Sequence, residues 1–353
     1  MKRREFLRTC AAMTGTPVVV HPLIGRAAED NGRAGKLAVD CDFPGGNVVV
    51  ERIEGDDVYL HQDLRDTAGW WFYWYFRVRG AAGRTLKFHF TNRNVFAARG
   101  PCVSTDGGTT WTWLGKDATG GTAFTYTFPA GAGDVRFCLA VPYQEADLDA
   151  FLARHAGNPH LKAEPHATTK RGRTSRRLRL GKLDGEPKHR VLLTCRHHSC
   201  EMMASWSLEG ILETVLSDAA DGRWYRENVE VLAIPLVDLD GVEDGDQGKN
   251  RKPHDHNRDY LGRSIYPTVA ATRRFVPEWS GGKLRFGLDM HCPYIRGGGD
   301  GPSSNERVFL SGTRAKQCGS GSSSSAGSSS RCRPARWSTT PGTTSPGARR
   351  GTP

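Results

Sequence analysis

Between residues 36 and 142 the apolar positions fall in short alternating runs broken by glycine-rich turns. Asn47 to Val50 is a short extended run, Trp71 to Val78 (WFYWYFRV) is an aromatic one, and Leu86 to Phe90 alternates as LKFHF. Asp106-Gly107-Gly108 reads as a hairpin turn, followed by Trp111 and Trp113 at strand spacing. Phe124 to Phe128 and Val135 to Val141 complete the set, and short strands punctuated this way predict a β-sandwich. The aromatic run could serve as a carbohydrate platform, but core plus an interdomain face is the reading adopted.

The pattern then changes. Asp147 to His155 is a short helix candidate inside an otherwise polar connector. From about Arg176 onward, buried strands are expected at Val191 to Thr194, Val229 to Pro235 (VEVLAIP) and Leu284 to Met290 (LRFGLDM), with a helix over Glu201 to Leu216. Strands alternating with a helix predict an α/β domain with a largely parallel sheet.

Composition narrows the function classes. The chain has 353 residues, 25% of them charged, and a mean hydropathy of -0.53. No run of uncharged apolar residues is long enough to span a bilayer. A net charge of +11 would suggest nucleic acid, but it sits at the two ends: residues 1–28 carry +4 and residues 311–353 carry +7. The neutral body between them argues against a phosphate-tracking surface. Nine cysteines show no C-x-x-C spacing, so neither a dense disulfide framework nor a thiolate zinc site is indicated.

The ends carry their own signals. Arg3-Arg4-Glu5-Phe6-Leu7 ahead of a small, weakly apolar stretch resembles a twin-arginine export signal over residues 1–28, which implies a periplasmic protein. From Ser311 on, Ser, Gly, Thr and Pro make up 28 of 43 residues, with no Asp, Glu or Tyr. Such a segment cannot bury enough surface to offset its chain entropy. Its abrupt start and basic, acid-free composition are also what out-of-frame GC-rich DNA would encode. Residues 311–353 are therefore read as a disordered low-complexity or frame-shifted tail.

The chemistry concentrates in three places. Arg196-His197-His198-Ser199-Cys200-Glu201 lies at a strand end and helix start, where His198 and Glu201, three apart, can meet one ion. His197 has no carboxylate three residues on. The second place is Asp255-His256-Asn257-Arg258-Asp259-Tyr260, and the third is Asp289-Met290-His291 at the end of an apolar strand. Two histidines and one glutamate suit zinc and leave it an open position for water.

On this ordered trio the chain resembles the zinc metallocarboxypeptidases of the funnelin type, and most of all the cytosolic-carboxypeptidase branch and its bacterial relatives. Further family-like phrases are Cys41-Asp42-Phe43-Pro44-Gly45-Gly46-Asn47, Trp71-Phe72-Tyr73, Ser205-Trp206 and Glu209-Gly210. Pro235 to Val242 (PLVDLDGV) resembles a family segment but has Asp238-Leu239 where the family has Asn-Pro. The resemblance covers about residues 36–310. It implies an α/β fold class: an N-terminal antiparallel β-sandwich (36–142), a connector (143–175), and an incomplete carboxypeptidase-type α/β domain with a mixed sheet (176–310).

The resemblance also implies roles. His198, Glu201 and His291 would hold one zinc ion, and Asp255 would orient the first histidine. Asn257 and Arg258 would grip the terminal carboxylate of a peptide or protein substrate, a task suited to a bidentate guanidinium. Arg251 would polarise the scissile carbonyl, although the loop from Arg251 to Asn257 is short for the family. Cys200 and Cys292 are read as packing residues rather than ligands.

The family's general-base glutamate and a substrate-contacting tyrosine would lie downstream of His291, where the chain stops resembling the family. Activity of this chain is therefore expected to be impaired, and apolar faces of the broken layer are expected to be exposed. Two alternatives stand beside the peptidase. One is an aspartoacylase-like or succinylglutamate-desuccinylase-like zinc amidohydrolase, which the preceding sandwich disfavours. The other is a non-catalytic protein that holds peptide C-termini through Asn257 and Arg258.

Overall fold

The computed structural model describes residues 36–292 and Ile295. The signal-like segment 1–28, the tail 311–353 and the remainder past Cys292 lie outside the described residues.

The first half forms two five-stranded sheets. One has the order β1 (Ala38–Asp40), β4 (Tyr75–Arg79), β10 (Val135–Cys138), β6 (Cys102–Ser104), β7 (Thr112–Trp113), all antiparallel. The other has the order β2 (Val49–Glu54), β3 (Asp57–His61), β5 (Thr85–Phe90), β9 (Ala123–Thr127), β8 (Thr119–Gly120). This second sheet departs from the expected antiparallel pattern, because β3 and β5 run parallel. The chain crosses into the first sheet as β4 before returning, so two crossings restore the original direction.

Aromatic rings fill the space between the sheets. Phe76 on β4 meets Phe88 on β5 at 5.3 Å between centroids, and Phe137 on β10 meets Phe124 on β9 at the same distance. All four are essentially inaccessible, and edge or tilted ring contacts of this kind add to the area they bury. Of the run at 71–78, only Tyr75 onward joins a ladder. Phe72, Tyr73 and Trp74 are buried residues outside any strand. The Tyr73 N–H donates to Gln247 Oε1 (2.9 Å), and Gln247 Nε2 donates to the Tyr73 carbonyl (2.9 Å). The run is thus core at one end and contact with the later half of the chain at the other.

The second half builds a mixed sheet of order β11 (Leu161–Thr168), β12 (Thr174–Gly181), β14 (Val229–Ile234), β13 (His189–Cys195), β15 (Leu284–Met290). Only β14–β13 and β13–β15 are parallel. The antiparallel β11–β12 hairpin makes the sheet mixed rather than largely parallel, and β11 lies within the stretch read as connector. Its sequence, LKAEPHAT, carries a proline and few apolar residues, as an edge strand tolerates.

Helices cover this sheet. α1 (Glu145–Arg154) starts two residues earlier than the sequence suggests, because Gln144 and Asp147 close a capping box. α2 (Met202–Leu216) and α3 (Ala220–Asn228) follow β13, then α4 (Leu239–Asp244) and α5 (Pro267–Ser280). Along β14, Val231 and Ala233 join the core cluster of α2, whereas Ile234 packs with Val269 of α5. Buried Glu230 on the same strand is held by Arg179 (2.6 Å), Arg190 (3.1 Å) and the Trp279 indole (2.9 Å). On β15, Leu284 and Phe286 stay 38% and 51% exposed.

Candidate metal centre

Strand β13, buried over its last three residues, ends at Cys195, and the chain turns sharply before α2. Arg196 makes the turn in the left-handed region (φ 62°), a costly conformation for a non-glycine residue. Its buried guanidinium holds it there, donating from Nε to the Ser199 carbonyl (3.1 Å) and from Nη1 to the Tyr143 carbonyl (2.9 Å) and Ser205 Oγ (3.1 Å). This fixes His197 and His198 at the mouth of the strand and leaves Glu201 immediately before the first turn of α2. Parallel β15, in register beside β13, delivers Asp289 opposite Thr194 and ends next to His291.

Three side chains converge there. Glu201 Oε1 lies 3.0 Å from His198 Nδ1, and Oε2 lies 2.7 Å from His291 Nδ1. The three donor atoms fall within 4.8 Å of one another. His198 and Glu201 are buried, and His291 sits at the partly exposed rim. Burial opposes ionisation of Glu201, but hydrogen bonds from both imidazoles outweigh it and hold the carboxyl down to about 2. Burial likewise opposes a charge on His291, yet the carboxylates of Asp289 and Glu201 raise it to about 10. An imidazolium wedged between two carboxylates occupies a place that a divalent cation would fill.

Carboxylates stand behind both histidines. Asp255 Oδ2 is 3.9 Å from His198 Nε2 and accepts the Asn250 N–H (3.0 Å). Its other oxygen is buried without a hydrogen-bond partner. Asp289 Oδ2 lies 2.7 Å from His291 Nε2, and Oδ1 lies 2.7 Å from His197 Nδ1. His197 Nε2 in turn meets the Tyr260 hydroxyl at 2.7 Å. His197 therefore sits behind the triad rather than in it.

Asn257 joins the same group, with Nδ2 donating to Asp289 Oδ2 (2.8 Å) and lying 3.3 Å from His291 Nε2. Exposed Arg258 donates from Nη1 to Asn257 Oδ1 (2.7 Å). Arg251 does not join. Asp66 (3.0 Å), Asp238 (2.6 Å) and Asp246 (2.7 Å) surround its guanidinium. Burial and the charge of Asp66 push Asp246 up to about 6 in this crowd of carboxylates. The cation that does reach the triad is Lys249, whose Nζ lies 3.8 Å from Glu201 Oε1. Cys200 is fully buried, and the Cys292 N–H donates to Glu201 Oε2 (3.2 Å).

Sequence reasoning missed Lys249, Asp66 and the supporting role of His197. His197 could have been flagged as an extra histidine beside a ligand, and Lys249 as the cation next to a tight Gly248 turn. Nothing local marks Asp66, which lies far away in the chain.

No protein-family model matches the chain. It is 26% identical over 287 residues to an uncharacterized protein of Zymomonas mobilis, covering 78% of this chain and 70% of that one. It is 24% identical over 204 residues to cytosolic carboxypeptidase 2 of Xenopus tropicalis, covering 55% of this chain. The match spans 20% of that relative's length. Among solved structures, a metallo-carboxypeptidase from Burkholderia cenocepacia superposes with a TM-score of 0.60 at 21% identity, covering 72% of this chain and 70% of that one. A metallo-carboxypeptidase from Pseudomonas aeruginosa, in complex with (2-guanidinoethylmercapto)succinic acid, gives 0.59 at 22% identity, covering 72% and 69%. The fold is that of these enzymes.

Proposed function

We propose that this chain, a relative of the cytosolic carboxypeptidases with a metallo-carboxypeptidase fold, is a zinc-dependent carboxypeptidase acting on the C-terminal residue of peptides. The observation that carries this reading is the convergence of His198, Glu201 and His291, each histidine presenting Nδ1 to the shared carboxylate. Two imidazoles and a carboxylate are a zinc donor set that leaves coordination places open. Zinc held there would supply a Lewis acid for a scissile carbonyl and for water.

The chain's own residues do the rest. Asp289, 2.7 Å from Nε2, orients the His291 ring and favours the tautomer that leaves Nδ1 free, while Asp255 faces His198 Nε2 at 3.9 Å, as a longer-range charge partner. Arg258, steadied by Asn257, receives the terminal carboxylate of the substrate and so sets which bond lies at the centre. Among the described residues, no glutamate other than Glu201 contacts the triad, so none can be named as the proton carrier. A second reading, resting on the Asn257–Arg258 pair (2.7 Å), is a protein that holds peptide ends without cleaving them. Residues 1–28, with Arg3-Arg4 and Phe6-Leu7, support an exported location; changing both arginines to lysine should retain the precursor in the cytoplasm.

The test is direct. Zinc content is counted after dialysis, and hippuryl-type peptides and N-acyl amino acids are offered with and without a chelator. Chelator-sensitive peptide cleavage supports the peptidase. Cleavage of only the N-acyl amino acids would shift the reading to an aspartoacylase-like amidohydrolase. Peptide binding without cleavage, indifferent to chelator, would leave the non-catalytic holder.

A further inference from the structure

Lys249 is an unusual neighbour for a buried carboxylate. Its side chain is 21% exposed, and its one ion-pair contact among the described residues is the 3.8 Å approach to Glu201 Oε1. The indole of Trp71, from the N-terminal half, lies under the ammonium at 4.7 Å from the ring centroid. Such a cation–π contact holds a cation without neutralising it. The loop that carries Lys249 is clamped on two sides. Asp66 accepts the N–H groups of Gln247 (2.9 Å) and Gly248 (2.8 Å). From the other side, Cys200 N–H donates to the Gln247 carbonyl (3.2 Å) and Ser199 Oγ to the Asp246 carbonyl (2.8 Å). Gly248 is at φ +74°, and a Cβ there would fall 2.2 Å from Ser199 N, so the two loops meet as closely as backbone allows.

A lysine fixed this way, beside a donor set that suits a divalent cation, has a clear chemical consequence. An ion sharing Glu201 would neutralise most of the carboxylate's pull on the ammonium and leave it free to meet an anionic group at the site. We propose that Lys249, rather than Arg251, is the cation that binds the developing anionic oxygen of the substrate at this centre. The proposal rests on the carboxypeptidase reading above. The ammonium donates a charge-assisted hydrogen bond to an oxygen that becomes negative as the carbonyl is attacked, the role in which a preorganised donor is most effective. Trp71 and Asp66 act as positioning residues, holding the ammonium in place without touching the substrate.

The probe is a phosphonate dipeptide, whose tetrahedral anion stands in for the attacked carbonyl. Its affinity is measured by calorimetry on the full chain for wild type, K249M and K249R, each with and without added zinc, alongside zinc content and melting temperature. Loss of a charged hydrogen bond should weaken phosphonate binding about 10- to 100-fold in K249M, with zinc content unchanged. K249R should recover most of it, since arginine restores a cation of similar reach. Equal phosphonate affinity in wild type and K249M, or no phosphonate binding by wild type, overturns the assignment. A lysine that only neutralises Glu201 would change the melting temperature and leave phosphonate affinity alone, which also overturns it. Zinc missing from wild type defeats the carboxypeptidase reading by itself, whereas the role of Lys249 is decided by the difference between the two proteins in phosphonate binding.

Discussion

The Asp289 carboxylate lies directly behind the His291 ring, with Oδ2 2.7 Å from Nε2, while Nδ1 of the same ring faces Glu201. Thr194 Oγ1 (2.9 Å) and Asn257 Nδ2 (2.8 Å) both donate to Asp289, so it is itself held on two sides. A carboxylate in this position fixes both the orientation and the tautomer of a metal-binding histidine. D289N should therefore weaken zinc binding by roughly 10- to 100-fold without abolishing it. Competition with a chromophoric chelator would read this; unchanged affinity would mean that Asp289 does not orient His291.

Removal of a donor should be more severe. Ligand binding raises stability in proportion to the logarithm of ligand concentration over the dissociation constant, about 2.7 kcal/mol at a hundredfold excess. Wild type should melt at progressively higher temperature as zinc is added. H198A, E201Q and H291A should each lose that dependence, as scanning calorimetry over a zinc series would show.

Zinc uptake should release protons. With Glu201 held down to about 2, it is ionised throughout the neutral range, whereas His291, raised to about 10 by Asp289 and Glu201, is protonated there. Zinc must displace that proton, so apparent affinity should climb close to tenfold per pH unit from pH 6 towards 9 and level off near the folded pKa. Titrations in buffers of different ionisation enthalpy would count the proton; a pH-independent affinity would contradict the arrangement.

Two buried histidines away from the triad set a separate pH dependence. Burial drives His166 and His256 down to about 4, so in the folded state they stay neutral where the unfolded chain, near 6.5, takes up protons. The unfolded state then binds more protons, and stability falls as pH drops from about 6.5 to about 4, at up to about 1.4 kcal/mol per pH unit for each histidine. Urea unfolding of the zinc-free protein should show this slope. His166→Gln should reduce it by about half, while retaining the side-chain hydrogen bond to Thr272.

Asp66 links the two halves through one carboxylate, accepting from Gln247 N, Gly248 N and Arg251 Nε. D66A leaves the Gln247 and Gly248 N–H groups and Arg251 Nε without their acceptor and should cost about 3 kcal/mol. A shift of less than 1 kcal/mol in urea unfolding would show that Asp238 and Asp246 suffice for Arg251.

Much of the site was legible because it rests on local spacing. His198 and Glu201 share a strand-to-helix turn, and the apolar run over Leu284 to Met290 ends beside His291. The edge hairpin β11–β12 and the helices α3 and α5 were not legible. α3, ADGRWYREN, is largely polar, and α5 holds Pro277 inside it, so tertiary packing overrides weak local signals. The approach of Lys249 to Glu201 was hidden for another reason. Which of two cations in one loop turns towards Glu201 depends on where Asp66 and Trp71 come to lie, and both stand more than 170 residues earlier in the chain. The parallel pairing of β3 with β5 was equally remote from any short pattern.

The clamp on the 246–250 loop bears on how this protein can be divided. Asn47 Nδ2 donates to the Gly245 carbonyl (2.7 Å), Gln247 bridges both backbone groups of Tyr73, and Asp66 secures the next two amides. The described residues accordingly fall within one compact unit. A fragment starting near Arg176 would carry all three candidate ligands and yet lack the scaffold that shapes the loop beside them. A version of this centre meant to keep that loop's shape therefore has to carry Asn47, Asp66 and Tyr73 along with it.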